Sequence, residues 1–299
     1  MHFKFLRSGF HGVAFLLLAA TIFPLPVQAQ EGKPAGRIPW EEGPVVGKLG
    51  DVAQINVPEH YRFTGKDGAA RFMELTQNPA SGKEMGVLVP DPQNGRIAWF
   101  VIFEFESTGY VKDDEKDKLD SDAILKSLQQ GTEDSNKIRA QKGWKAYHVV
   151  GWSKAPFYSP DSHNLTWSII GREEGGGENV NYSVRLLGRR GTMSADLVLG
   201  TGLVPTVVPE FENLLTGFSF VQGQKYSEFR AGDKVAEYGL TALIAGGAAA
   251  AAIKSGLLAK FWKLIVLGFV ALMGAIKRFW TWLKRLLTGK AGEQTVPQG

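Results

Sequence analysis

The stretch NLTWSIIGREEGGGENVNYSVRLLG, residues 164–188, decides the fold. Residues 164–171 and 179–188 are rich in β-branched and aromatic side chains, and the REEGGGE between them is turn chemistry. In the second segment Val180, Tyr182, Val184 and Leu186 share one face, and Asn181, Ser183 and Arg185 share the other. Together they read as an antiparallel hairpin. Working outward, WKAYHVVGW (144–152) and MSADLVLG (193–200) are the strands on either side. Earlier come GVLVP (86–90), IAWFVIFEF (97–105) and the alternating DVAQINVPEHYRF (51–63), where Ala53, Ile55 and Val57 share a face. The lead-in Gly32–Gly50 holds a first short strand.

Helical patterns are fewer. Residues 68–75 form one, with Ala69, Phe72, Met73 and Leu75 apolar, stopped at Asn78-Pro79. Two central stretches follow, about 122–130 and 132–142, the first capped by Asp120 or Ser121. A late one, VPEFENLLTGF, places Pro209 in its first turn and Gly217 at its end. FSF (218–220) closes the domain. Strands, two central helical stretches, more strands and a late helix predict an α+β fold, a mainly antiparallel sheet with a few packed helices.

The two ends differ in character. Lys4 and Arg7 precede an apolar run from Gly12 to Phe23. Pro24 and Pro26 break it, and Val27-Gln28-Ala29 is a small-x-small cleavage site, so 1–29 reads as a secretory signal peptide. The other reading, an uncleaved anchor, suffers from a run too short to span. Tyr238 to Ile253 carries no charge and measures about 24 Å as a helix; with snorkelling of Lys254 and extension through Leu257-Leu258 it spans a bilayer. The alternative is a buried soluble helix. Gly246, Gly247, Ala250 and Ala251 have the spacing that lets membrane helices associate. A second apolar run, Leu264–Ile276, is flanked by lysines, arginine and tryptophans.

Three topologies follow. One helix around 238–258 crosses and 264–287 lies amphipathic at the inner face; or the two runs form a hairpin; or only 257–276 crosses. The excess of basic residues beside a span on the cytoplasmic side favours the first. All three put residues 30–234 outside the cytoplasm, in the periplasm of a bacterium. The expected organisation is 1–29 signal, 30–234 extracytoplasmic α+β domain, 235–258 transmembrane helix, and 259–299 a basic amphipathic or second membrane helix and tail.

Charge divides the same way. Of the net +4, the signal carries +2, residues 30–234 carry −4 (24 basic, 28 acidic) and the tail +6 (eight basic, two acidic). The domain therefore lacks the basic surface that nucleic-acid binding needs. The absence of cysteine excludes disulfides, thiolate metal sites and a cysteine nucleophile.

Several long phrases resemble a known family: GYVKDDEKDKLDSDAIL, GTEDSNK, VVGWSKAPFYSPDSHNLTWS, NVNYSVRLLGRRG and the tail KVAEYGLTALIAGGAAAAAIKSGL. They look like a bacterial family of predicted membrane-anchored proteins that carries a domain of unknown function. The resemblance covers nearly the whole chain after the signal. It implies a bacterial envelope protein with a C-terminal anchor and brings no catalytic residues with it. On pattern alone the fold is similar to small α+β sheet folds of photosystem assembly proteins and nuclear import cofactors.

Chemistry-bearing motifs are sparse. Gly151-Trp152-Ser153-Lys154-Ala155 lacks the second glycine of a nucleophile elbow, and HExxH, P-loop and GxGxxG patterns are missing. The acidic run Asp113–Asp122 lacks the turn glycine and final glutamate of a calcium loop, so no metal is expected. No cofactor is expected either. His148 reads as structural. Glu104 and Glu106 point the same way from one strand, which suits acid–base work or an exposed sheet face. The sequons at Asn164 and Asn181 have no role in a bacterium. The most suggestive segment is the proline-interrupted loop 156–167, where Asp161 can orient His163 near Tyr158; no nucleophile accompanies them. Asn181, Ser183 and Arg185, with Arg189 and Arg190 beyond, form a polar stripe suited to an anionic or carbonyl-rich ligand, or else a solvated sheet face.

The expectation is a membrane-anchored periplasmic module that binds or assembles an envelope partner, touching the lipid bilayer and self-associating through Gly246, Gly247, Ala250 and Ala251. The alternatives are an envelope hydrolase using the 156–167 loop and a structural protein of the inner membrane. The reading leans away from an enzyme.

Overall fold

The computed structural model describes residues 37–78 and 80–245. The expected signal 1–29, the tail 259–299 and the helix-association residues Gly246, Gly247, Ala250 and Ala251 lie outside the described residues, as does most of the expected span. Among the described residues no helix is long and apolar enough to cross a membrane.

The strands are β1 (Glu41–Glu42), β2 (Val45–Leu49), β3 (Ala53–Val57), β4 (Tyr61–Gly65), β5 (Glu84–Pro90), β6 (Trp99–Glu106), β7 (Tyr147–Ser159), β8 (Asn164–Glu173), β9 (Glu178–Leu187), β10 (Thr192–Gly200) and β11 (Phe218–Phe220). The helices are α1 (Lys66–Leu75), α2 (Ser121–Gln141), α3 (Val204–Leu215) and α4 (Leu240–Ala245). Eight strands form one antiparallel sheet in the order β1-β4-β5-β6-β10-β9-β8-β7, and β11-β3-β2 form a second. The fold is α+β with mainly antiparallel sheet.

The hairpin of residues 164–188 is β8–β9, with Trp167 opposite Ser183 and Ile169 opposite Asn181. Its alternation sets both layers of the molecule. Val180, Tyr182, Val184 and Leu186 face the core, where they join Phe63, Val101, Phe103 and Leu197 from the large sheet. Ile55 and Val57 of the small sheet and Phe211 and Leu214 of α3 close that core from the other side. On the opposite face α1 sets Ala69, Phe72 and Met73 against Val87, Phe100, Ile102 and Val198. Farther along this face Asn136 of α2 donates to the Tyr147 carbonyl at 2.8 Å and accepts from its N–H at 2.9 Å. Gly171 is needed there: a Cβ would lie 1.8 Å from the Tyr147 hydroxyl.

Four elements differ from the sequence pattern. Residues 51–63, read as one strand, are β3 of the small sheet and β4 of the large one. The two central helical stretches are one 21-residue helix, α2. Gly131 does not break it, because a single glycine costs a helix only about 1 kcal/mol. Asp120 is its N-cap, accepting from Ala123 N–H at 3.0 Å. Helix α3 begins earlier than expected, so Pro205 occupies its first turn and Pro209 lies inside. Strand β7 runs through Pro156 to Ser159, which leaves only residues 160–163 as the turn of the expected 156–167 loop. A proline is tolerated because β7 is an edge strand with register shifts around it.

Beyond β11 the chain runs back along the domain. Val235 bridges Tyr110 in parallel. All six residues of α4 are buried, and the Ala245 carbonyl accepts from Ser127 Oγ of α2 at 3.3 Å.

Phe211 is 1% exposed and Val46 is 48% exposed. In denaturant titrations Phe211→Ala should cost about 3–5 kcal/mol, whereas Val46→Ala should stay within about 0.5 kcal/mol of the parent.

Candidate functional site

The β7–β8 turn carries the first group of candidates. His163 has φ +53°, a left-handed conformation that histidine adopts more readily than most residues. Its ring stacks on Tyr226 at 4.4 Å between centroids; Tyr226 stacks on Tyr110 at 4.3 Å, and Tyr110 on Phe229 at 4.2 Å. Tyr158 Oη donates to Asp113 Oδ2 at 3.0 Å, and His163 Nδ1 lies 3.1 Å from the same hydroxyl oxygen. Because the one phenolic hydrogen goes to Asp113, Nδ1 carries the hydrogen of that second bond. Burial, then Asp113, pushes the Tyr158 phenol above its ordinary range.

The partner of His163 is therefore Tyr158, held by Asp113 from the acidic run fifty residues upstream. Asp161 is exposed and makes no side-chain bond among the described residues. Tyr158 and His163 come together; Asp161 does not join them. Among the described residues no serine or lysine side chain is hydrogen-bonded to the histidine.

A cleft of about 370 Å³ opens next to this turn, lined by His163, Leu187, Leu215, Phe218, Phe220 and Tyr226, with Lys225 at its border. It is apolar and aromatic inside with a few hydroxyls and a cation around it, the composition of a binding site for a largely apolar group. No carboxylate is among its lining residues. Sequence reading missed the cleft because its walls come from four distant segments: the β7–β8 turn, the end of β9, residues 225–227 and the α3–β11 junction.

The wall of residues 225–227 belongs to a strap, residues 221–236, laced to the domain. Arg189 donates to both oxygens of Asp233, at 2.7 and 2.8 Å, a bidentate geometry only arginine offers a carboxylate. It holds the Asp233 carboxyl down at about 2. Arg189 N–H donates to the Gln224 carbonyl at 2.8 Å, and Tyr110 exchanges backbone bonds with Lys234 and Ala236, each 2.8 Å. Gly109 fits only without a side chain: its φ is +102°, and a Cβ would lie 2.6 Å from the Lys234 carbonyl oxygen. Arg189, expected among residues facing a ligand, is occupied inside the protein.

The polar stripe is neither a ligand surface nor a solvated face. Asn181, Ser183 and Asp196 are buried. Asp196 Oδ1 accepts from Ser183 Oγ at 2.6 Å and from Arg185 at 2.9 Å. The Arg185 guanidinium lies 4.6 Å from the Trp167 ring centre. Asn181 donates to the Tyr147 hydroxyl at 2.7 Å, which donates to Asn179 at 2.6 Å. Asp196 supplies the anion that Ser183 and Arg185 suit, and the Tyr147 hydroxyl takes the Asn181 amide hydrogen, while Asn181 Oδ1 is buried without a hydrogen bond. His148, on the exposed side of β7, pairs with Glu133 at 2.8 Å. Glu106 takes Lys83 Nζ at 2.7 Å and Glu104 takes Ser81 Oγ at 2.6 Å, so neither carboxylate is the bare surface group that alternation suggested.

Comparison with known proteins agrees with the sequence phrases quoted above. Residues 41–277 match a family described as protein of unknown function, DUF2167. The chain belongs to the DUF2167 family. No curated protein matches it. Among solved structures it is similar to cyanobacterial PsbP (CyanoP) from Synechocystis sp. PCC 6803, with a TM-score of 0.36 and 12% identity, over 65% of this chain and 99% of that one. In this DUF2167 protein the geometry brings together His163 and Tyr226 at a cleft, Tyr158 bonded to His163, and the strap that forms one of its walls.

Asp233→Asn removes the charge that Arg189 clamps. The strap should then be cut several-fold faster by a protease acting between 223 and 234, while the rest of the domain keeps its resistance. Asp161→Ala should leave both unchanged.

Proposed function

We propose that this protein is a membrane-tethered, extracytoplasmic binding module of the bacterial envelope, and that the cleft beside His163 receives an apolar segment of a partner protein. The observation that carries this is the cleft itself. Leucine, phenylalanine and tyrosine side chains make up half of its walls, and Ser162, Asn164, Ser219, Lys225 and Ser227 lie among them; the side-chain partner of His163 is the Tyr158 hydroxyl, not a carboxylate or a serine. Such a surface suits binding, because none of its serines is hydrogen-bonded to the histidine that would have to activate it. The hydrolase alternative relied on an Asp161–His163 pair that does not form.

The tether enters through the strap. Tyr226 lines the cleft, Lys234–Ala236 pair with Tyr110, and α4 begins at Leu240. A ligand touching Lys225 and Tyr226 thus touches the segment that leads into the apolar C-terminal sequence. We place the bulk of the chain in the periplasm on the strength of the signal-like residues 1–29. We place the anchor in the inner membrane on the run that continues from α4 into residues 246–258, with the basic end on the side of anionic lipid. Self-association through Gly246, Gly247, Ala250 and Ala251 belongs to the same proposal.

A photo-crosslinking residue at Ser227, in the cleft, should give a discrete protein adduct in living cells, and His163→Ala with Phe218→Ala should abolish it. The same residue at Asp67, exposed on α1, should give none. Identical adducts at both positions, or an adduct that survives the double substitution, would remove the cleft from the account.

A further inference from the structure

The lining of the cleft beside His163 holds a cation and no carboxylate. Lys225 stands there on a backbone fixed to the sheet. Residue 225 bridges Gly188 of the β9–β10 turn, and the Arg189 N–H donates to the Gln224 carbonyl at 2.8 Å. Only the side chain is left to move. Among the described residues the Lys225 ammonium forms no ion pair or hydrogen bond.

The acids of the neighbouring segments are engaged elsewhere. Glu228, three residues on, accepts the Lys225 backbone N–H at 2.8 Å. Glu210 and Glu212 of α3 accept from the hydroxyls of Tyr61 and Tyr182. Asp113 holds the Tyr158 hydroxyl, and Asp233 is clamped by Arg189. Asp161 precedes Ser162 in the β7–β8 turn but does not line the cleft.

The hydrogens of the two polar rings are engaged as well. Tyr226 donates to the Val111 carbonyl at 3.0 Å, and His163 Nδ1 lies 3.1 Å from the Tyr158 hydroxyl oxygen, to which it donates. What the lining still offers is Lys225, the Asn164 amide and the exposed hydroxyls of Ser162, Ser219 and Ser227, beside leucine and phenylalanine. A carboxylate accepts from all of these polar groups, and its bond to an ammonium is the strongest of them.

We propose that the segment this cleft receives carries an aspartate or glutamate beside its apolar side chains, and that Lys225 pairs with that carboxylate. The inference rests on the reading of the cleft as a binding site and adds the chemistry of the occupant. The apolar walls supply most of the affinity. Lys225 discriminates among apolar segments. Because the ammonium stands at a wet border, its effect is that of an exposed ion pair, a few-fold in affinity and screened by salt.

Two probes of one shape separate the walls from the cation. 4-Phenylbutyrate is an apolar body with a carboxylate; 4-phenylbutanamide is the same body without the charge. Each is titrated at neutral pH into the full-length chain in mild uncharged detergent, and the amide NMR shifts of Ser219 and Ser227 are followed. Both should bind, the butyrate about two- to fivefold more tightly at low salt. The ratio should approach one at about 0.5 M salt. Lys225→Gln should bring the butyrate to the level of the amide and leave the amide unchanged, and Lys225→Arg should keep the preference. Equal affinities in the parent, or a preference that survives K225Q, would overturn the pairing and leave the cleft standing. No shift with either probe would overturn the cleft and the pairing together. In cells, Lys225→Glu should lower several-fold the adduct formed by a photo-crosslinking residue at Ser219, and K225R should preserve it. An adduct indifferent to K225E would equally overturn the pairing.

Discussion

Strands β6, β10 and β9 sit inside the eight-stranded sheet with both faces covered, and this double burial constrains everything else. A strand open to water on one side can carry any polar residue there. Here the second face lies beneath helices, and each polar group on it must find a partner within the protein or pay heavily for its lost water. The sequence still places Asn179, Asn181, Ser183, Arg185, Ser194 and Asp196 on that face. The result is a network: Tyr147 between two asparagines, Asp196 between a serine and an arginine, Arg185 against Trp167. Such a network is rigid because moving one member strands the others.

A rigid sheet frees its ends for other work. The β7–β8 turn, the close of α3 and the strap converge at one end, and none of them is needed to hold the sheet's register. There the aromatic stack from His163 through Tyr226 and Tyr110 to Phe229 joins the cleft to the strap. Arg189 and Asp233 fix the strap against the β9–β10 turn. The cleft and the strap that leads to the C-terminal segment therefore share the same few side chains.

The sheet was legible where burial leaves a periodic mark. The alternation of Val180, Tyr182, Val184 and Leu186 gave the right core face, and β3, β5, β6 and β10 fell where β-branched and aromatic runs put them. Helix α2 was misjudged at Gly131, since propensity there is overridden by packing on the sheet. The extent of β7 was hidden by Pro156, which reads as a break unless the strand is known to be an edge. The polar stripe was placed on the correct face with the wrong environment: period two tells which residues share a face, not whether a helix forty residues away covers it. The candidate site was half legible. Tyr158 and His163 were found from their density in a short segment. Their true partners, Asp113 and Tyr226, are 45 and 63 residues from them, and no local pattern links such positions. The Arg189–Asp233 clamp was invisible for the same reason.

We propose that this domain works outside the cytoplasm while tied to its membrane. The chain has no cysteine, so a single one introduced at the exposed Ser162 reports its own surroundings. A small maleimide that cannot cross the inner membrane should label Ser162→Cys fully in intact cells, with the labelled chain recovered in the membrane fraction. Labelling that requires lysis, or a labelled chain released to the soluble fraction without detergent, would contradict the account.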